Sequence, residues 1–168
     1  MAIVLLVLVG GRGSANPSTW ACAVLVSVLP LLVVIDLVEY RLPDVVVIPS
    51  GATAAFVVII SSWTISLWPE GMRALLAGAV SVGVLFVLFM VSGGALGFGD
   101  VKLGFLLGTV VGGFGWWALL AAFFVSSVIG LVMAVGYMAV KRQGLKTSLP
   151  FGPALLIGTA AVSIVAVV

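Results

Sequence analysis

The chain has 168 residues, of which 64% are hydrophobic and only 7% charged, and its net charge is +2. Soluble domains carry charge on roughly a quarter of their residues, so this composition, with a mean hydropathy of +1.45, excludes an ordinary soluble enzyme and indicates a polytopic protein partnered by the lipid bilayer. With no histidine and one cysteine, Cys22, the chain cannot build an HExxH zinc helix, a Ser-His-Asp triad, an internal disulfide or a Cys-rich metal site, and its small net charge gives no ground for a nucleic-acid partner.

The opening stretch, MAIVLLVLVGG, is apolar but only about half the ~20 residues that a span needs. It lacks a basic n-region, which argues against a cleavable signal peptide, and Arg12, Asn16 and Pro17 interrupt it. Residues 1–19 are expected to form a lead-in to the first span or a short membrane-dipping piece, with a seventh span left open. Six apolar runs follow, at about Trp20–Val38, Val45–Trp68, Ala74–Val91, Val101–Gly112, Trp116–Val140 and Pro150–Val168. The expectation is an all-α polytopic bundle of about six transmembrane helices, forming a single integral-membrane domain over residues 1–168. The fourth run is short. It reaches across only if the bilayer thins locally or if GGALGFGD also enters the membrane. The connections EYRLPD, WPEGMR, GGALGFGD, GGFG and KRQGLKTSL are all too short to separate two domains.

Lysine and arginine set orientation, because cytoplasmic loops retain positive charge. The connections after the first, third and fifth runs share one side and carry Arg41, Lys102, Lys141, Arg142 and Lys146, whereas the other side carries Arg12 and Arg73. Five against two assigns the first group to the cytoplasm and both termini to the outside.

The acidic residues are Asp36, Glu39, Asp44, Glu70 and Asp100. Glu70, beside Pro69, reads as a solvated loop charge on the outer side. Asp44 follows Pro43 and reads as a helix N-terminal residue whose carboxylate satisfies free backbone N–H groups. Asp36 lies inside the cytoplasmic end of the first run, and Asp100 opens the fourth. Two spans separate them, so both fall on the same side at similar depth. Two intramembrane carboxylates at matched depth form a candidate functional site. The alternative is that each anchors a nearby cation, Arg41 or Lys102.

Glycines bear on that choice. Gly97 and Gly99 bracket Phe98 just before Asp100, and glycine permits φ > 0 and close backbone approach. Gly104, Gly108 and Gly112 follow Asp100 at four-residue steps, which places them on one helix face, and small residues there let membrane helices pack closely. Asp100 is therefore expected to face other helices. Two inward carboxylates near a water-accessible end can form an aspartyl protease dyad. Close together they cannot both ionise easily, so they share a proton and titrate as a unit.

GFGD followed by VKLG, IDLVEYRLPD upstream and LPFGPALLIG near the C-terminus together resemble the type IV prepilin peptidases, membrane aspartyl proteases of the GxGD group. The resemblance covers nearly everything from the first span to the end. It implies that Asp36 and Asp100 are the catalytic pair, next to the active-site backbone of Gly97, Phe98 and Gly99; neither metal nor cofactor is expected, because two carboxylates suffice to activate water. It implies a prepilin or pilin-like substrate, cut at the cytoplasmic side to release a short basic leader. Glu39 and Asp44 then become candidate contacts for that leader, against structural readings as an ion pair with Arg41 and a helix cap. PFGP, at Pro150, Phe151, Gly152 and Pro153, matches a loop-to-helix junction of the family, and a proline there suits the first turn of a helix.

Larger members of the family carry paired CxxC motifs in a cytoplasmic insertion and also methylate the new pilin N-terminus. This sequence has one cysteine and no such segment, so it resembles the peptidase-only form found in many tight-adherence pilus systems and among archaeal preflagellin peptidases. Presenilin and signal peptide peptidase, the other GxGD proteases, are a more distant likeness. Pro153-Ala154-Leu155 resembles their third motif, but they have more spans and their first aspartate follows tyrosine, whereas Asp36 follows Ile35. A non-enzyme alternative is a small proton-coupled transporter with Asp36 and Asp100 as relay carboxylates, which leaves GFGD and PFGP without a role.

Overall fold

A computed structural model describes residues 17–39, 44–92, 96–141 and 152–167. These residues form six helices and no strand: α1 (Pro17–Glu39), α2 (Asp44–Thr64), α3 (Trp68–Val91), α4 (Phe98–Gly112), α5 (Trp116–Lys141) and α6 (Gly152–Val167). The expected all-α bundle of six helices is therefore observed. Helices α1, α2, α3 and α5 are long and apolar enough to cross a membrane, and the chain is a multi-pass membrane protein.

The helix boundaries differ from the sequence expectation where proline sits. α1 opens at Pro17, ahead of the expected first span, and α3 opens at Trp68 with Pro69 in its first turn. Proline suits that position, because its missing N–H would have no helical partner there. WPEGMR is thus the first turns of α3 rather than a loop. The α2–α3 turn is confined to Ile65–Leu67, and Ser66 takes a left-handed conformation with φ 56°. Residues 1–16, which include most of the apolar lead-in, lie outside the described residues.

Helix α4 sits at the centre. It contacts each of the other five helices, and around it α3, α2, α1, α6 and α5 follow one another as neighbours. Its 15 residues rise about 22 Å at 1.5 Å each, short of the ~30 Å hydrocarbon core. Position explains how so short a helix persists: from Asp100 to Gly112 it is buried at every residue except Lys102 and Phe105. Its C-terminal end is covered by protein, with Gly112 and Gly113 buried, whereas the N-terminal end is exposed at Gly97 and Phe98.

Helices α3 and α4 pack closely along a stripe of small residues. A Cβ at Gly104 would meet Leu85 Cδ1 at 2.5 Å, and one at Gly108 would meet the Ala77 carbonyl oxygen at 2.6 Å. At Gly112 it would run into the Ala77 side chain, and at Gly78, across the seam, into Thr109. The four-residue glycine stripe therefore forms a backbone-to-backbone seam with Ala74, Ala77 and Ser81 of α3, and Asp100 lies at the head of that stripe.

The chain's five tryptophans gather at the opposite end of the bundle. Trp20 is near the start of α1, Trp63 near the end of α2, Trp68 at the start of α3, and Trp116 and Trp117 at the start of α5. Trp63 and Trp68 meet edge to face at 5.8 Å. Tryptophan collects at membrane–water interfaces, where an apolar ring with one polar N–H is best accommodated.

Candidate active site

The C-terminal turn of α1 and the N-termini of α2 and α4 come together at the end away from the tryptophans. α1 ends at Glu39 and α2 begins at Asp44, so the short connection keeps those ends together. A side-chain bond then links α2 to α4. Lys102 Nζ donates to both carboxylate oxygens of Asp44, each at 2.7 Å. Lys102 also lies 5.0 Å from the centroid of the Phe98 ring, a cation–π distance. Phe98 in turn meets Phe89 of α3 edge to face at 5.6 Å.

Asp100 is the third residue of α4 and only 6% exposed. Its backbone N–H donates to the Gly97 carbonyl at 3.0 Å. Gly97 precedes the helix in an extended conformation, φ −69° and ψ 139°, and Gly99 is already helical. Positive φ is thus not what Gly97 supplies. Its value is space: a Cβ there would sit 3.4 Å from Asp100 Oδ2, so the carboxylate folds back over the start of its own helix.

Asp36 belongs to the last turn of α1, whose final residue is Glu39. The side chains of Asp36 and Glu39 lie outside the described residues, as do Arg41, Pro150 and Phe151. Gly152 and Pro153 open α6, as expected of a loop-to-helix junction. Lys102, considered above as an anchoring partner for Asp100, is engaged by Asp44 instead. Asp44 does open α2, but its carboxylate serves as an ion-pair partner across 58 residues of sequence. Among the described residues no three His, Cys, Asp or Glu side chains converge as metal ligands would.

Residues 23–135, a stretch containing both Asp36 and Asp100, match the type IV leader peptidase family. The chain belongs to that family. It is 31% identical over 143 residues to the prepilin leader peptidase/N-methyltransferase of Pseudomonas putida, covering 84% of this chain and 46% of the relative. It is 32% identical over 141 residues to the protein of that name from Pectobacterium carotovorum subsp. carotovorum, covering 83% and 49%. The Bacillus subtilis (strain 168) relative is 28% identical over 157 residues, covering 89% and 57%. The chain spans about half the length of the curated relatives it matches. No solved structure gives a significant match.

Two residues of the leader peptidase bundle were misread from sequence. Arg73, counted above as an outer loop charge, lies within α3, and its guanidinium donates to the last carbonyls of α4: Nε to Gly112 O at 3.1 Å and Nη2 to Gly113 O at 2.6 Å. A cation at a helix C-terminus satisfies carbonyls that have no helical N–H. Glu70 is likewise no loop charge. It sits in the first turn of α3, and its Oε2 is buried with no hydrogen-bond partner among the described residues. The signal available for both was Pro69, which marks a helix start.

Proposed function

We propose that the chain is a membrane aspartyl endopeptidase that removes the short basic leader from prepilins or pilin-like subunits at the cytoplasmic face, and that all 168 residues act as one membrane domain. The observation that carries this reading is the buried Asp100 at the head of the central helix, at the end of the bundle where the Asp36 turn of α1 terminates, in a chain of the leader peptidase family. An intramembrane carboxylate is costly and is a functional group by default.

In the proposed chemistry the two carboxylates share one proton. One carboxylate, ionised, takes a proton from water as the water attacks the scissile carbonyl, and the other, protonated, donates to the carbonyl oxygen. Collapse of the tetrahedral intermediate expels the amine of the mature pilin, which leaves with a proton from the pair. The lysine and arginine count supports the cytoplasmic side. The tryptophan-rich rim at the other end is compatible with an outer interface.

Purified protein in detergent, incubated with a prepilin peptide that carries its leader, tests the reading. Cleavage at the leader junction is expected. Proton-coupled transport in liposomes with no cleavage would overturn it in favour of a relay function.

A further inference from the structure

We infer that Lys102 is a positioning residue: clasped between Asp44 and the Phe98 ring, it straps the first turn of α4 to α2 and α3 and so fixes the direction of Asp100. The inference rests on the peptidase reading, and it identifies a residue that acts through another rather than on the substrate.

The geometry comes from the helix period. Phe98 and Lys102 are four residues apart and share one face of α4, whereas Asp100, two from each, points to the other. Exposure follows that division. Phe98 is 49% exposed and the Lys102 side chain 28%, against 6% for Asp100. The outer face is held from both flanks. Phe98 contacts Phe89 on α3, and Lys102 makes a bidentate bond to Asp44 on α2. Holding the outer face at two points fixes the rotation of the turn, and the inner face carries the carboxylate. The strap also reaches the other aspartate by sequence, because Asp44 follows Asp36 by eight residues and the bond to Lys102 ties the two chain segments together.

A purely structural role fits less well. The Asp44 side chain is 58% exposed, and ion pairs at such exposure contribute little to folding. Catalysis is more demanding: misplacement of a reacting group by about 1 Å can cost on the order of 100-fold in rate.

The experiment uses the full chain. Lys102→Met should lower kcat at least about tenfold while KM changes less than about twofold. Lys102→Arg, which keeps the charge and reach, should retain most of the activity. In a Cys22→Ala background, Asp44→Cys with Lys102→Cys should be poorly active until a short reversible bifunctional thiol reagent joins the two positions. Activity should then return, and fall again on reduction. Wild-type kcat in Lys102→Met, or a rise in KM with kcat retained, would overturn the proposal, the latter by making Lys102 a substrate contact. A companion measurement needs no turnover. In the same Cys22→Ala background, Asp100→Cys should be alkylated slowly with Lys102 present and at least about tenfold faster with Lys102→Met, as the turn loses its fixed rotation. Equal rates would overturn the strap even if the protein cleaves prepilin. Failure of wild type to cleave, with the alkylation difference intact, would sink the peptidase reading and leave the strap standing.

Discussion

The two ends of α4 are held by different means. At the C-terminal end, Arg73 of α3 donates to the Gly112 and Gly113 carbonyls, and Gly112 lies against Ala74 and Ala77. The grip there is on backbone. At the N-terminal end the grip is made by side chains: Lys102 on Asp44, whose side chain is 58% exposed, and Phe98 on Phe89. A backbone grip in an apolar setting releases only if the helix itself comes apart. A grip between partly exposed side chains can open and re-form. Under the proposed peptidase reading, admitting an extended peptide calls for a grip that can re-form at one end and a fixed reference at the other, and the two ends of α4 differ in that way.

Removing a carboxylate at the Asp100 end has the largest expected effect. Asp36→Asn and Asp100→Asn should each lower cleavage by about 1,000-fold or more, in line with loss of a general acid or base, with the protein still membrane-inserted. In wild type, kcat/KM should be bell-shaped in pH, because one carboxylate must be ionised while the other keeps its proton. The two flanks belong to the pair. Appreciable turnover by either asparagine variant in a steady-state assay would remove that residue from the site.

Next comes the seam that joins the two ends. Gly108→Val would drive methyl groups into the Ala77 carbonyl and the Ser81 side chain. A cost of about 1–3 kcal/mol or more is expected for such overpacking, seen as a lower midpoint of unfolding in detergent. Gly83 has nothing within 4 Å of an added Cβ, so Gly83→Ala should be neutral or gain up to about 1 kcal/mol. Equal behaviour of the two variants would mean that α3 and α4 do not approach as described.

The fixed end is tested by Arg73→Met. Two charge-assisted hydrogen bonds are lost, each worth about 1.5–3 kcal/mol. Stability should fall, but kcat of the protein that remains folded should change little. Lys102→Met is expected to show the opposite pattern. A kcat loss in Arg73→Met at unchanged stability would erase the distinction between the ends.

Glu70→Gln should be a small effect near the same fixed end. It removes the charge from a side chain whose Oε2 is buried without a partner among the described residues, so stability should hold or rise by about 1 kcal/mol, read by the same unfolding assay. Smallest of all are two expected nulls for the 168-residue chain. Adding S-adenosylmethionine should leave the mass of the mature pilin unchanged, and a metal chelator should leave the rate unchanged, because two carboxylates suffice to activate water. A product heavier by one methyl group, or a chelator-sensitive rate, would show that the site needs more than these residues.

Sequence by itself determined the local and periodic features. Apolar runs give helices because a backbone in lipid must bond to itself, and all six runs are helices, although α4 is a central helix rather than a wide span. Four-residue glycine spacing identified the packed face of α4, because helical periodicity is a property of one segment alone. The same periodicity directed Asp100 inward, where it is buried. The gathering of the tryptophans on one rim was also legible, by counting crossings, although the charges alone were used for orientation.

Only the tertiary structure decided which partner each charged side chain takes. Lys102 lies two residues from Asp100 in sequence yet bonds Asp44, 58 residues away, and Arg73 caps carbonyls 39 and 40 residues further on. Those choices depend on how each helix is rotated and how far it slides against its neighbour. Rotation and slide are set by close packing of many side chains at once, such as the fit of Gly104, Gly108 and Gly112 against α3, and no single segment contains that information.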